Sequence, residues 1–214
     1  EQMYAVAERI DPADYRELAM QTFSEMVAAG ITCVGEFHYL HHRSGGESYA
    51  DPNAMGHALV DAARAAGLRI TLLDTCYLTG DIGRALVDTQ QRFGDGDAHR
   101  WAERVDALRE AYDSAPDVVV GGAIHSVRAV PADELGVVAE WAALHHAPLH
   151  VHLSEQPREN LDCLGRYGRT PTRLLYDRGV LGPRTTAVHA THLEDADVAL
   201  LGETETTIAL CPTT

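Results

Sequence analysis

Strand-like and helix-like stretches alternate along this chain with no tight hairpin signal between them, and that pattern dictates a parallel sheet. A helix starts at Asp11-Pro12, with Asp11 as N-cap and Pro12 at the first helical position, and ends at Gly30. Residues 31–37 read as a strand running into His38-Tyr39-Leu40-His41-His42, and residues 43–50 as a polar loop. Asp51-Pro52 opens a second helix, closed by Gly67, ahead of a strand over 68–78 and a long loop over 79–96. A helix over 97–114 carries Trp101, Val105, Leu108 and Tyr112 at helical spacing. Strands over 118–127, 149–154, 185–191 and 207–210 follow, separated by helices over 131–146, 170–178 and 194–201.

About six strands result. A doubly wound sheet and a (β/α)8 barrel both fit the periodicity, but no GxGxxG follows the first strand, so a dinucleotide fold gains no support. The polar candidates fall just after strand C-termini, where a barrel keeps its active site. At 214 residues the chain lies near the lower end of the barrel size range. The expected fold is α/β, an incomplete TIM-like barrel of about six βα units. It forms one domain over 1–214, with no repeats, low-complexity tracts or linkers.

The most informative strand is Leu149-His150-Val151-His152-Leu153-Ser154, followed by Glu155-Gln156-Pro157. Its period of two puts His150 and His152 on one face and the apolar residues on the other, against helices. Of the 12 histidines, His38, His125, His150, His152 and His189 take late-strand positions. His57, His99, His145 and His146 fall on helices and read as surface or packing residues, while His41 and His42 sit in a loop with no assigned role. His152 is the best metal-ligand candidate, because a neutral imidazole at a strand end can face an open coordination site. Glu155, three residues on, can reach a metal-bound water and move its proton, although a helix-start acid is the competing reading. Arg128, near His125, invites a carboxylate partner, and a structural ion pair is the local alternative.

Composition narrows the chemistry. A net charge of -15 argues against a nucleic-acid partner. No apolar run reaches membrane-spanning length and no export signal is legible, which leads to the expectation of a cytoplasmic protein. The four cysteines, Cys33, Cys76, Cys163 and Cys211, are scattered and read as buried thiols. The sequence contains no lysine, so Schiff-base chemistry and a carbamylated bridging lysine are both excluded within it. A mononuclear metal site is the consistent expectation.

On these residues the chain resembles the amidohydrolase superfamily in its mononuclear deaminase branch, and within it the formimidoylglutamate deiminase family. The resemblance rests on Glu36-Phe37-His38-Tyr39-Leu40-His41-His42, His125-Ser126-Val127-Arg128-Ala129-Val130, His150-Val151-His152-Leu153-Ser154-Glu155-Gln156 and Val188-His189-Ala190-Thr191-His192. It covers essentially the whole chain, and the four stretches fall in the family's order. His-x-x-Glu is common to the superfamily, while Glu-Phe-His-Tyr with His-Ser-x-Arg is narrower. The resemblance implies His152 as metal ligand, Glu155 as proton shuttle and His189 as catalytic partner at the attacking water. It also implies that Tyr39, His125 and Arg128 contact the substrate, with Arg128 clamping a carboxylate. The implied reaction is hydrolysis of N-formimino-L-glutamate to N-formyl-L-glutamate and ammonia, with one divalent metal, zinc first and iron compatible. The implied partner is a carboxylate-bearing small molecule, and a homodimer is compatible.

The family's first-strand His-x-His has no counterpart before Glu1, and its last-strand metal-binding Asp would fall beyond Thr214. The expectation is a segment of a longer enzyme, inactive alone. The alternatives are another mononuclear deaminase, acting on a purine, pyrimidine or guanidine-like substrate, or a non-catalytic fragment with a role in assembly.

Overall fold

The computed structural model describes residues 2–213. Six strands, β1 (Cys33–His38), β2 (Arg69–Cys76), β3 (Val118–Ile124), β4 (Leu149–Leu153), β5 (Thr185–His189) and β6 (Thr207–Ala209), pair in parallel in chain order, forming a half-barrel. The connecting helices are α1 (Gln2–Ala7), α2 (Pro12–Ala28), α3 (Ala54–Ala66), α4 (Ala98–Tyr112), α5 (Leu135–Leu144), α6 (Pro157–Tyr167), α7 (Pro171–Asp177) and α8 (Asp195–Glu203). No helix of the described residues is long and apolar enough to cross a membrane.

The main core lies between the convex face of the sheet and the helices. Leu149, Val151 and Leu153 of β4 are buried in it with Ile70 and Leu72 of β2 and Val120 and Ile124 of β3. Trp101 and Val105 of α4 and Leu135 and Trp141 of α5 close the layer. The two indoles meet edge to face, 5.1 Å apart, over Gly122, where an added Cβ would stand 3.2 Å from each. A smaller cluster of Leu40, Met55, Tyr77, Phe93 and Ala129 caps the C-terminal ends of the strands.

Local chemistry fixes the helix starts. The Asp11 carboxylate accepts the N–H groups of Ala13 and Asp14, both at 2.9 Å, and Asp97 accepts that of Arg100 at 2.8 Å. Asp51-Pro52 is not a helix start. Asp51 instead accepts the Asn53 N–H, and α3 begins three residues after Asp51, at Ala54. The strand expected to reach Val127 ends at Ile124, because the Ser126 carbonyl takes the N–H groups of Ala129 and Val130 into a turn. Helix α6 was not expected as a helix. Its outward face carries Leu161 and Leu164, and it buries Glu159 and Cys163 rather than a stripe of large apolar residues. Inside the predicted loop 79–96, a short 3-10 turn over Asp88–Phe93 presents Arg92 to the interior. That guanidinium is fully buried and donates to the carbonyls of Ala7, Ile10 and His42, tying α1 and the loop after β1 together. Of the thiols expected to be buried, Cys76 and Cys163 are, Cys211 is half-buried and Cys33 is exposed on the edge strand.

Candidate active site

At the C-terminal ends of the strands, the concave face opens into a cleft of about 400 Å³. Tyr39, His125, Arg128, His152, Glu155 and His189 all line it, so the residues singled out from the sequence converge. The cleft also takes in Tyr4, Gln90 and Phe93, none of which carries a strand-end motif, and Tyr77, which falls in the strand expected over 68–78.

The pleat of β4 turns His152 inward, as alternation predicts, and its Nδ1 lies 2.8 Å from the His125 carbonyl. A carbonyl only accepts, so Nδ1 carries the proton and Nε2 keeps its lone pair. Burial pushes the ring's pKa down to about 4, which holds it neutral. Phe37 packs on one side of it, with ring centroids 4.2 Å apart. A neutral imidazole with one nitrogen fixed by a backbone carbonyl is the donor a metal ion requires, so His152 fits the ligand role.

His189 reaches the cleft by a different route. Its register partner is Leu153, whose side chain faces the helices, so a regular strand would point His189 away. Instead His189 has φ +72, and the Ala190 N–H bonds the Val188 carbonyl at 3.1 Å, closing a three-residue turn around it. Ala190 (φ +51) and Ser154 (φ +48) are also left-handed. Three non-glycine residues in that region at the ends of adjacent strands are a concentration of backbone strain at one site. The turn brings His189 Nε2 to 3.9 Å from Glu155 Oε1, and its ring centroid to 5.4 Å from that of His152.

Arg128 comes from the turn after β3 and donates from Nη2 to Glu155 Oε2 at 3.1 Å, while its Nε stands 3.6 Å from Glu159 Oε2. The ion pair weighed as the local alternative is therefore present. His125 is half-buried in the cleft wall, and desolvation, helped by His152 and Arg128, drives its pKa well below the usual imidazole value. Its ring packs edge-on against Tyr77 and Tyr39. Burial raises the Tyr39 phenol and pushes Tyr77 up to about 12, so both are neutral donors at neutral pH. His150 faces the same side one layer deeper and is not part of the lining.

A second cluster lies behind the cleft wall. His38 points to the helix side of β1, and with His41 and Asp74 it forms a buried group whose potential ligand atoms lie within 4.8 Å of one another, compact enough for a divalent metal. The carboxylate of this group is already taken by a guanidinium. Arg104 donates to both oxygens of Asp74 at 2.8 Å and to both oxygens of Asp95 at 2.9 Å. Trp101 Nε1 adds a bond to Asp74, and His42 lies 3.0 Å from Asp95. Burial alone would raise both carboxyls, but the Arg104 charge holds each below its ordinary value. The sequence did carry a trace of this cluster, since Asp74 is a lone acid in the apolar run Leu72-Leu73-Asp74-Thr75-Cys76.

Residues 2–214 match the amidohydrolase family. The chain is 37% identical over 216 residues to formimidoylglutamate deiminase of Pseudomonas aeruginosa, covering 100% of this chain and 47% of that protein. It is 30% identical over 199 residues to a 5-methylthioadenosine/S-adenosylhomocysteine deaminase of Teredinibacter turnerae, covering 93% of this chain and 38% of the relative. It superposes on the crystal structure of an amidohydrolase from Brucella melitensis with a TM-score of 0.91 at 34% identity, over 98% of this chain and 46% of that one. The chain thus spans about half the length, or less, of the relatives it matches. With a family match over nearly its full length and a half-barrel whose strand ends carry the cleft, the chain belongs to the amidohydrolase family.

Proposed function

We propose that this cleft serves the metal-dependent hydrolytic deamination of N-formimino-L-glutamate, giving N-formyl-L-glutamate and ammonia. The observation that carries the reading is the convergence of His152, Glu155 and His189 with Arg128 in one cleft. His152 would hold a divalent metal through Nε2, as the ligand this set of cleft residues contributes. Zinc suits imidazole and carboxylate donors, and iron is compatible. When bound, such an ion supplies Lewis acidity and an activated water.

Glu155 accepts a proton from the attacking water as its oxygen bonds to the formimino carbon. It delivers that proton to the imino nitrogen as the C=N π bond opens. The remaining hydroxyl proton follows through Glu155 when the C–N bond breaks, so the nitrogen leaves as ammonia and the oxygen becomes the formyl carbonyl. His189 Nε2, across 3.9 Å from Glu155, is placed to orient that water. Arg128 binds a carboxylate of the glutamyl moiety, and the neutral Tyr39 phenol and His125 ring complete the contacts.

A second reading has its own support. The rings of Tyr4, Tyr39, Tyr77 and Phe93 line the cleft and suit a planar base, as in a purine deaminase. The deciding experiment is ammonia release by the complete, metal-loaded protein from N-formimino-L-glutamate and from 5′-methylthioadenosine, with metal content measured on the same sample. Ammonia from the first and none from the second is expected. The reverse result replaces the acidic substrate with a nucleoside.

A further inference from the structure

Glu159 takes no part in the chemistry above, yet it is 1% exposed and stands directly behind the cleft. It is the third residue of α6, four residues past Glu155, which precedes the helix. Its Oε1 accepts the Ser154 N–H at 3.1 Å, within the left-handed turn that aims Glu155. Its Oε2 is buried with no hydrogen bond, and so is Arg128 Nε, the group it faces at 3.6 Å. Arg128 therefore lies between two carboxylates of unlike exposure, with side chains 22% exposed for Glu155 and 0% for Glu159. A buried carboxylate is costly without a cation beside it, so the Nε side of Arg128 is held to Glu159. Glu155, at the cleft surface, keeps water and substrate as alternative partners.

We propose that Glu159 is a positioning residue that pins the Nε side of Arg128 and leaves its Nη end to exchange between Glu155 and a carboxylate of the substrate. The inference rests on the acidic-substrate reading. Without the Glu159 charge, Glu155 is the carboxylate left to Arg128, and the pair that closes occupies both clamp and shuttle.

Glu159→Gln tests this, because an amide oxygen still accepts the Ser154 N–H and only the charge facing Arg128 is lost. The four proteins of a cycle, wild type, Glu159→Gln, Arg128→Ala and the double variant, are prepared as complete metal-loaded enzyme. With N-formimino-L-glutamate, Glu159→Gln is expected to raise KM and lower kcat, for a loss of about 10- to 100-fold in kcat/KM. On the Arg128→Ala background the same substitution should change kcat/KM by less than about 3-fold. Equal losses on both backgrounds would mean that Glu159 acts through the turn alone, and the proposal would be wrong.

Calorimetric binding of L-glutamate to the same proteins separates this inference from the deamination reading. Affinity that weakens in Glu159→Gln, in a protein that releases no ammonia from the formimino substrate, keeps the positioning role and removes the reaction. Equal affinity in wild type and Glu159→Gln, or no binding by wild type, overturns the positioning role whatever the activity.

Discussion

The cleft and the cluster behind its wall are built from the same residue types, histidines and carboxylates around one arginine, and they do opposite things. Arg104 spends its donors on Asp74, Asp95 and Asn53 in five hydrogen bonds of 2.8–3.2 Å, sealed between β2 and α4. Arg128 donates one side-chain hydrogen bond among the described residues, to Glu155, and leaves a buried Nε unmatched. The backbone differs as well. Asp74 and Arg104 sit inside a regular strand and helix, whereas Ser154, His189 and Ala190 are left-handed. The cluster even brings three potential metal-ligand atoms within 4.8 Å of one another, yet its carboxylate is already paired. What separates a reactive site from a structural network is thus neither composition nor proximity. It is whether the polar groups are already matched, and whether the backbone is strained to aim them outward.

That contrast predicts unlike responses to similar substitutions. Arg104→Ala leaves Asp74 and Asp95 buried without their cation, and removing one partner of a buried ionic network costs about 3–5 kcal/mol. Denaturant unfolding of the complete protein should show this loss, or the variant should fail to fold. Retained stability would mean that water reaches these carboxylates and that the network is not closed. Glu155→Gln is expected to do the reverse, leaving fold and metal content intact while lowering kcat by about 10²–10⁴-fold through loss of the proton shuttle. Its partners are a half-exposed arginine and a histidine 3.9 Å away, so little structure depends on it. A variant with normal turnover would move the shuttle to another group.

Legibility in the sequence follows the same division. The parallel half-barrel could be read because strand alternation and helix caps are local signals, as with Asp11 and the alternating His150 and His152. The cleft residues could be read because they sit at strand ends in recognisable motifs. How His189 enters the cleft could not be read, since strand periodicity assigns it to the helix side and a positive φ at a histidine has no local sequence signature. His38 failed in the opposite sense. It shares the late-strand position of the cleft histidines, but β1 turns it toward α2, where Tyr15 packs against it with ring centroids 5.9 Å apart. The partnership of Asp74 with Arg104 spans 30 residues, and although a lone acid in an apolar strand marks Asp74, nothing local names Arg104 as its partner. Helix α6 was hidden because the acid it buries, Glu159, finds its partner, Arg128, on a different strand end.

The smallest expected effect is a pH dependence that the closed cluster should carry. Burial, assisted by the neighbouring His41, lowers the pKa of His38 to about 3, and burial likewise lowers that of His41, although Asp74 and Asp95 pull both upward. The native state therefore keeps these rings unprotonated, while the unfolded chain protonates them near 6.5. Where the unfolded state binds more protons, stability rises with pH, so this contribution is complete above about 6.5 and is lost as the pH falls toward the native values. Between pH 7.5 and 6 the expected loss is roughly 0.8 kcal/mol for His38, with a further loss from His41 in the same direction. His38→Gln should flatten the decline by the share of one proton if the cluster stays dry and closed. An unchanged slope in that variant would show that His38 is protonated in the native state, and the sealed character that sets this cluster apart from the cleft would be lost.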